Sequence, residues 1–321
     1  MKKGFAAIAV VGVAAAVAVF ALTQAPSGSV NLHQSDSAFN KYLAKHGKSY
    51  KTKEEYLLRK QLFEDRLEDV LEHNAQNSFS WVKATNKFTD MTDLEIKMHL
   101  GGGVPGQHRP HIEVIPQASV SNGPVDWRGN MNPVRDQGQC GSCWSFAATA
   151  TFEGRYAVKK GSKVQLSEQQ MVDCATQCYG CGGGWASAAL QYVQSAGGQM
   201  SRASYPYTGR QGACRFNSGS VQARVSGVSG VGDAKSAVAG GPVAVYVQAQ
   251  SGFMSYGGGI FDGYCGQYDH AVTVVGWGSA GGVEYWIIRN SWGSGWGEAG
   301  HIRVKINGNC RITFDSFPIV A

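Results

Sequence analysis

The chain has 321 residues, with 29 Lys and Arg against 23 Asp and Glu and a formal net charge of +6. Charged residues are 16% and apolar residues 43%, which excludes a disordered chain, and the modest, unclustered charge gives no case for nucleic-acid binding. The 43 glycines show no three-residue period, which excludes collagen, and eight cysteines in a Gly-rich, low-charge chain point to an oxidising compartment.

Met1-Lys2-Lys3 followed by 18 uncharged residues, Phe5 to Leu22, reads as a secretory signal peptide over residues 1–25, with a signal-anchor as the alternative. Val19-Phe20-Ala21 offers a small-residue cleavage site. No later stretch is long and apolar enough to span a bilayer, so no stable membrane span is expected in the mature form. No Asn-x-Ser/Thr acceptor occurs.

Residues 35–100 are charged, lack cysteine and have a helical pattern. Ser37 is placed to cap a helix carrying Phe39, Tyr42 and Leu43. Thr52 is placed to cap a second, with Glu55 completing a capping box. Tyr56, Phe63, Leu67, Val70 and Leu71 then fall close to one face, with Glu55 and Arg59 an i,i+4 pair beside it. Glu55, Arg59, Phe63, Val70 and Asn74 fit E-x3-R-x3-F-x2-N-x3-I-x3-N, with Arg66 for the first Asn and Val70 for Ile. Ala84-x-Asn86-x-Phe88-x-Asp90 fits G-x-N-x-F-x-D, with Ala for Gly. The two motifs in this order resemble the inhibitory propeptide of cathepsin L-like cysteine proteases. The resemblance implies that the segment blocks an active-site cleft and assists folding. Residues 101–120 read as a Gly- and Pro-rich linker with the maturation site, the mature chain starting near Ser121. His108 and His111 read as solvated loop residues, the alternative being that their protonation loosens the linker and aids activation.

Residues 121–321 differ in kind: they hold 35 of the glycines and all eight cysteines. Gln137-Gly-Gln-Cys140-Gly-Ser-Cys143-Trp144 heads a helical run from Ser142 to about Lys160, which Gly161 ends. A thiol there meets the positive end of the helix dipole, which lowers its pKa and makes Cys143 a candidate nucleophile. Only two histidines follow. His301 lies in an alternating run and reads as an exposed strand residue. His270 stands at the mouth of an apolar strand, Ala271–Gly276, and suits a site better. Asn290 can accept a hydrogen bond from the imidazole and orient it without adding charge.

The CGSCW run, with His and Asn 127 and 147 residues on, resembles the papain family of cysteine proteases. The resemblance covers nearly the whole chain after the signal segment. It implies a Cys143 thiolate paired with a His270 imidazolium, a thioester intermediate, and an oxyanion held by Gln137 and the Cys143 N–H. It implies that Trp292 covers the Asn290–His270 bond, and that Cys140–Cys181, Cys174–Cys214 and Cys265–Cys310 are disulfides. Cys178 is left over, and could compete for Cys174 or Cys181. It implies that Gly183 and Gly184 lie beside the substrate, Gly184 pairing with it as an added strand. Trp185, Ala186, Tyr246, Tyr268 and Asp315 would line the pocket for the second residue before the scissile bond (P2), with Asp269 also at the substrate. Hydrophobic or aromatic P2 residues are expected, with Arg tolerated opposite Asp315, and Tyr246 narrows the pocket. No insertion of the exopeptidase kind is present, which favours an endopeptidase.

Two other chemistries use the same letters. Cys140-x-x-Cys143 could be a redox dithiol, but Trp144 follows it and no βαβ unit flanks it. With Cys178-x-x-Cys181 it could hold zinc, but the 34-residue gap is too long. No metal and no cofactor are expected. A non-catalytic relative that only binds peptides or inhibitors is disfavoured by the intact Gln137, Cys143, His270 and Asn290. The expected architecture is α+β. It is a two-lobed papain-like fold, a helical lobe and a β-barrel-like lobe with the site between them, preceded by an α-helical propeptide. The expected partners are protein or peptide substrates and the chain's own propeptide, in a monomer of the secretory pathway, lysosome, digestive vacuole or extracellular space.

Overall fold

The computed structural model describes residues 32–103, 108–116, 123–249 and 251–321. The signal segment and the maturation site near Ser121 lie outside the described residues. Two helices lead, α1 (Leu32–His46) and α2 (Lys53–Ala75), joined by a cluster in which Phe39, Tyr42 and Phe63 are buried. Thr52 caps α2 by accepting from the Glu55 N–H. The Glu55 side chain turns to Arg59, 3.5 Å away. A reciprocal capping box occurs later, between Thr92 and Glu95 at the start of α3 (Asp93–Lys97). Ser37 caps nothing, because α1 already begins at Leu32. Leu71 is 50% exposed: Phe63 and Val70 stack two turns apart, and the next residue swings about 100° off their face.

Between α2 and α3, β1 (Trp81–Lys83) leaves the helical unit and joins the sheet of the following domain. That domain contains β2 (Val125–Asp126), α4 (Cys143–Lys160), α5 (Glu168–Cys174) and α6 (Ala186–Ser195). A small ribbon of β3 (Gln199–Met200) and β4 (Val221–Ala223) follows, then β5 (Val225–Gly230), α7 (Ala234–Ala239) and β6 (Val243–Val247). The chain ends in β7 (Tyr256–Phe261), β8 (His270–Ala280), β9 (Val283–Arg289), β10 (His301–Lys305) and β11 (Thr313–Val320).

The fold is mixed: a helical lobe, then a β-rich lobe. The sheet runs β1-β7-β10-β9-β8-β6-β11-β5, with β2 on β8; it is an open path of strands, not a closed barrel. β6, β8 and β9 are apolar runs because both of their faces are covered. One core lies around the sheet, with Val245, Val274, Trp286 and Ile302 buried in it. A second packs α4, α5 and α6 through Trp144, Phe152, Met171 and Leu190. Ala244, Tyr246 and Ala271 from the sheet also reach that second core, so the lobes meet where β6 and β8 face α4. β10 lies between β7 and β9, so His301 is buried, contrary to its expected exposure. Among the described residues no helix is long and apolar enough to cross a membrane.

Candidate active site

Cys143 is the first residue of α4 and is fully buried. The chain reaches it through a tight turn: Ser142 N–H bonds Cys140 O at 2.7 Å, and Gly141 N–H bonds Cys181 O at 3.0 Å. Alanines then carry the helix to Gly161, whose left-handed φ of 69° ends it. Across the lobes, Ala271 N–H points at the Cys143 sulfur at 3.4 Å. The preceding residue, His270, opens β8. Its Nε2 lies 2.8 Å from Asn290 Oδ1, and its Nδ1 has no hydrogen-bond partner. Trp292 stacks on the imidazole at 4.5 Å between ring centroids and 22° between planes. Asn290 follows β9 and is held by the Ser291 N–H, which donates to Oδ1 at 2.8 Å.

Gln137 is fully buried and held from both sides. Its amide oxygen accepts from Ser291 Oγ at 2.6 Å, and its own N–H bonds Ser291 O at 2.9 Å. Its Nε2 donates to Cys140 O at 2.8 Å and to His99 O at 2.9 Å. The second acceptor is a backbone carbonyl of the propeptide segment.

That segment threads the cleft. Phe88 packs edge-on against Trp292 at 4.9 Å, and Lys87 pairs with Asp136 at 2.6 Å. Gly101 and Gly102 N–H bond Asp269 O at 3.1 and 2.8 Å. Gly184 N–H bonds Gly101 O at 3.1 Å, and Gly103 N–H bonds Gly184 O at 2.9 Å. Gly184 thus offers both backbone groups to a neighbouring chain, which is here the propeptide's own, turned tightly by the Gly103 N–H on Gly101 O at 3.1 Å. The grip therefore extends past residue 100, into the stretch expected to be linker. Three glycines are needed in it: a Cβ on Gly101 would run into Gly141 O, one on Gly102 would come within 2.5 Å of His270 N, and Gly103 adopts φ 118°.

Covering the site changes its electrostatics. Burial pushes the Cys143 thiol up to about 12, only partly offset by the N–H groups of Ala271 and Gly101. Burial also pulls His270 down to about 4, against the Asn290 hydrogen bond, with His99 adding like-charge repulsion. The helix dipole expected to lower the thiol is outweighed here by desolvation, and thiol and imidazole are both neutral under the propeptide.

Trp185, Tyr246 and Tyr268 form an aromatic trio, with centroids 5.4, 5.5 and 6.0 Å apart. Tyr246 is fully buried, and its hydroxyl accepts from Ala186 N–H at 2.7 Å. Gly183 adopts φ 121°, with Tyr179 N–H on its carbonyl at 2.8 Å. Asp315 is buried on β11 and accepts from Ser187 N–H at 2.8 Å. Arg109 reaches its other oxygen at 3.6 Å and bonds Phe314 O at 2.7 Å. Burial pushes the Asp315 carboxyl up to about 6, with Arg109 pulling it down. His108 and His111 are exposed.

The disulfides are Cys140–Cys181, Cys174–Cys214 and Cys265–Cys310, which removes the dithiol and zinc alternatives. Cys143 and Cys178 are free thiols. Cys178 is buried beneath Gly184, where a Cβ would come within 2.8 Å of its sulfur, and burial pushes it up to about 12. Sequence reading missed Ser291, Tyr207 and His99. Ser291 could have been suspected from its place beside Asn290; the other two carry no local signal.

The fold and this constellation define a thiol peptidase with its propeptide in place. Residues 122–318 match the model of the papain family cysteine proteases, and residues 39–96 match the cathepsin propeptide inhibitor domain. The chain belongs to the papain family of cysteine peptidases and is made with an inhibitory propeptide. It is 42% identical to papaya proteinase 4 of Carica papaya, covering 83% of this chain and 80% of the relative. It is 36% identical to digestive cysteine proteinase 1 of Homarus americanus, covering 90% and 96%. The structure of digestive procathepsin L2 from Tenebrio molitor larval midgut superposes with a TM-score of 0.83 at 34% identity, covering 89% of this chain and 99% of that one.

Proposed function

We propose that the processed chain, starting near Ser121, is a cysteine endopeptidase of the secretory pathway. It works as a monomer in a lysosome, digestive vacuole or the extracellular space. Cys143 is the nucleophile, His270 the acid and base, Asn290 the orienter, and Gln137 with the Cys143 N–H the oxyanion donors. The observation that carries the reading is the arrangement of three groups. A free thiol heads a helix, an imidazole is held by Asn290 with Nδ1 open, and a backbone carbonyl rests on the Gln137 amide.

With the propeptide gone, water and the helix dipole favour the thiolate, and His270 takes the proton. The sulfur attacks the peptide carbonyl, and the π pair moves to the oxygen held by Gln137. Collapse expels the amine, which takes its proton from His270, leaving a thioester. Water then attacks, giving a proton to His270, and collapse releases the acid and the sulfur. The aromatic trio supports hydrophobic P2 residues. Tolerance of Arg is supported by Asp315, which a guanidinium of the chain itself already reaches. Thiol-dependent cleavage of a Phe-Arg reporter peptide, lost in Cys143→Ser, tests the activity. An unchanged Phe-to-Arg preference in Asp315→Ala would sink the P2 assignment.

A further inference from the structure

We propose that Tyr207 is a positioning residue that welds the two halves of the oxyanion site together. The inference rests on the assignment of Gln137 and the head of α4 as the oxyanion donors. The Tyr207 hydroxyl donates to Gln137 O at 2.7 Å and lies 2.7 Å from Ser142 Oγ. A phenol has one proton, so with it on Gln137 O the serine hydroxyl donates to Tyr207. Burial pushes the Tyr207 phenol up to about 12, so it keeps that proton through the working range.

Ser142 is the residue before Cys143, and its side chain makes no capping bond to α4. Serine at that position ordinarily accepts from the first-turn N–H groups. Here the hydroxyl turns to Tyr207 instead, and the N–H groups at the head of α4 are not drawn onto a cap. The Tyr207 ring is fixed edge-on against Phe146, one turn into α4, at 4.9 Å and 88°. One phenol therefore sets the Gln137 loop and the helix start against each other. The Gln137 side chain is locked from the far side by Ser291. Removing the hydroxyl frees the Gln137 carbonyl and the Ser142 hydroxyl without disturbing the ring contact.

The test compares processed wild type, Tyr207→Phe, Ser142→Ala, the double variant and Gln137→Ala on an amide substrate. Tyr207→Phe should lower kcat by about tenfold with KM within twofold, since misplaced donors weaken only transition-state binding. A peptide aldehyde, whose hemithioacetal oxygen sits where the oxyanion forms, should bind weaker by the same factor. Alkylation of Cys143 by iodoacetamide, which needs no oxyanion, should keep its rate and pH profile. The double variant should lose no more than Tyr207→Phe alone. If kcat and aldehyde affinity are unchanged while only thermal stability falls, Tyr207 is merely structural and the inference is overturned. If Tyr207→Phe does not fold, Ser142→Ala carries the same comparison. Gln137→Ala separates the two levels: its loss of kcat beside an unaffected Tyr207→Phe sinks this inference alone. An active Gln137→Ala sinks the assignment of the oxyanion donors with it.

Discussion

Burial favours a neutral thiol at Cys143 and a neutral imidazole at His270, and the propeptide backbone lies against both. His270 is pulled from 6.5 to about 4, so relative to the unfolded chain its contribution to the stability of the covered fold is complete above pH 6.5 and is lost as pH falls toward 4. Cys143 is raised from 9.0 to about 12, so relative to the unfolded chain its contribution is complete below pH 9 and is lost as pH rises toward 12. The full-length, inactive Cys143→Ser chain should therefore lose stability in acid, as thermal unfolding across pH 4–7 would show, and a flat profile would contradict this. In the uncleaved wild-type chain at pH 7, iodoacetamide should modify Cys143 at least tenfold more slowly than in the processed enzyme, because the thiolate is the nucleophile. Asp315 shows the opposite sign from His270. Its carboxyl is raised from 3.8 to about 6, so the native state favours the protonated form and loses that advantage as pH rises through 6. Asp315→Asn should be stabilised relative to wild type by about 2–3 kcal/mol more at pH 7.5 than at pH 3.5. Denaturant titrations at the two pH values check it, and an equal difference at both would refute it.

Among the elements, the propeptide helices are held by one acid as well as by their own packing. The Asp90 carboxylate receives Tyr42 at 2.8 Å and is also bonded by Lys48 and Tyr50. Asp90→Ala would leave two phenols without their acceptor and the partly buried Lys48 ammonium with only the Lys87 carbonyl and the Tyr42 hydroxyl, at a cost of roughly 3–5 kcal/mol. The full-length variant should be leaky, cleaving reporter peptide before maturation, while the processed enzyme keeps its normal kcat. Silence of the full-length variant would show that the cluster is dispensable. Asp90 and Asn86 stood out in the sequence as motif letters. The motif did not reveal that Arg66, in place of Asn, donates to the carbonyls of Phe88, Thr89 and Met91 at 2.8, 3.2 and 2.6 Å. Nor did periodicity announce β1. Three residues are too few to show alternation, and Trp81–Lys83 becomes a strand only by pairing with Tyr256–Gly259 far along the chain.

Over the whole molecule, the split in composition proves physical. The cysteine-free, charged segment packs as helices and then enters the cleft of the Gly- and Cys-rich domain through the backbone of Gly101, Gly102 and Gly103. Cys143, His270 and Asn290, the residues proposed to do the chemistry, could be picked out because each sits at a locally recognisable place: a helix start, a strand mouth, a turn before Trp292. Their supports were not readable, because Ser291 meets Gln137 across 154 positions and Tyr207 meets it across 70. His301 misled for a related reason, since alternation marks a strand and not its neighbours on both sides. The three glycines at 101–103 looked like linker, yet they are what lets a backbone lie against His270 and Gly141. The most direct test of a cysteine peptidase silenced by its own propeptide is one progress curve on the full-length chain. Hydrolysis of a Phe-Arg reporter peptide is followed in the presence of thiol, before and after an acid pulse, for wild type and Cys143→Ser. The wild type should be silent at first and active once the propeptide is removed, and Cys143→Ser should be silent throughout. Activity in Cys143→Ser, or full activity in the intact wild-type chain, would contradict the account.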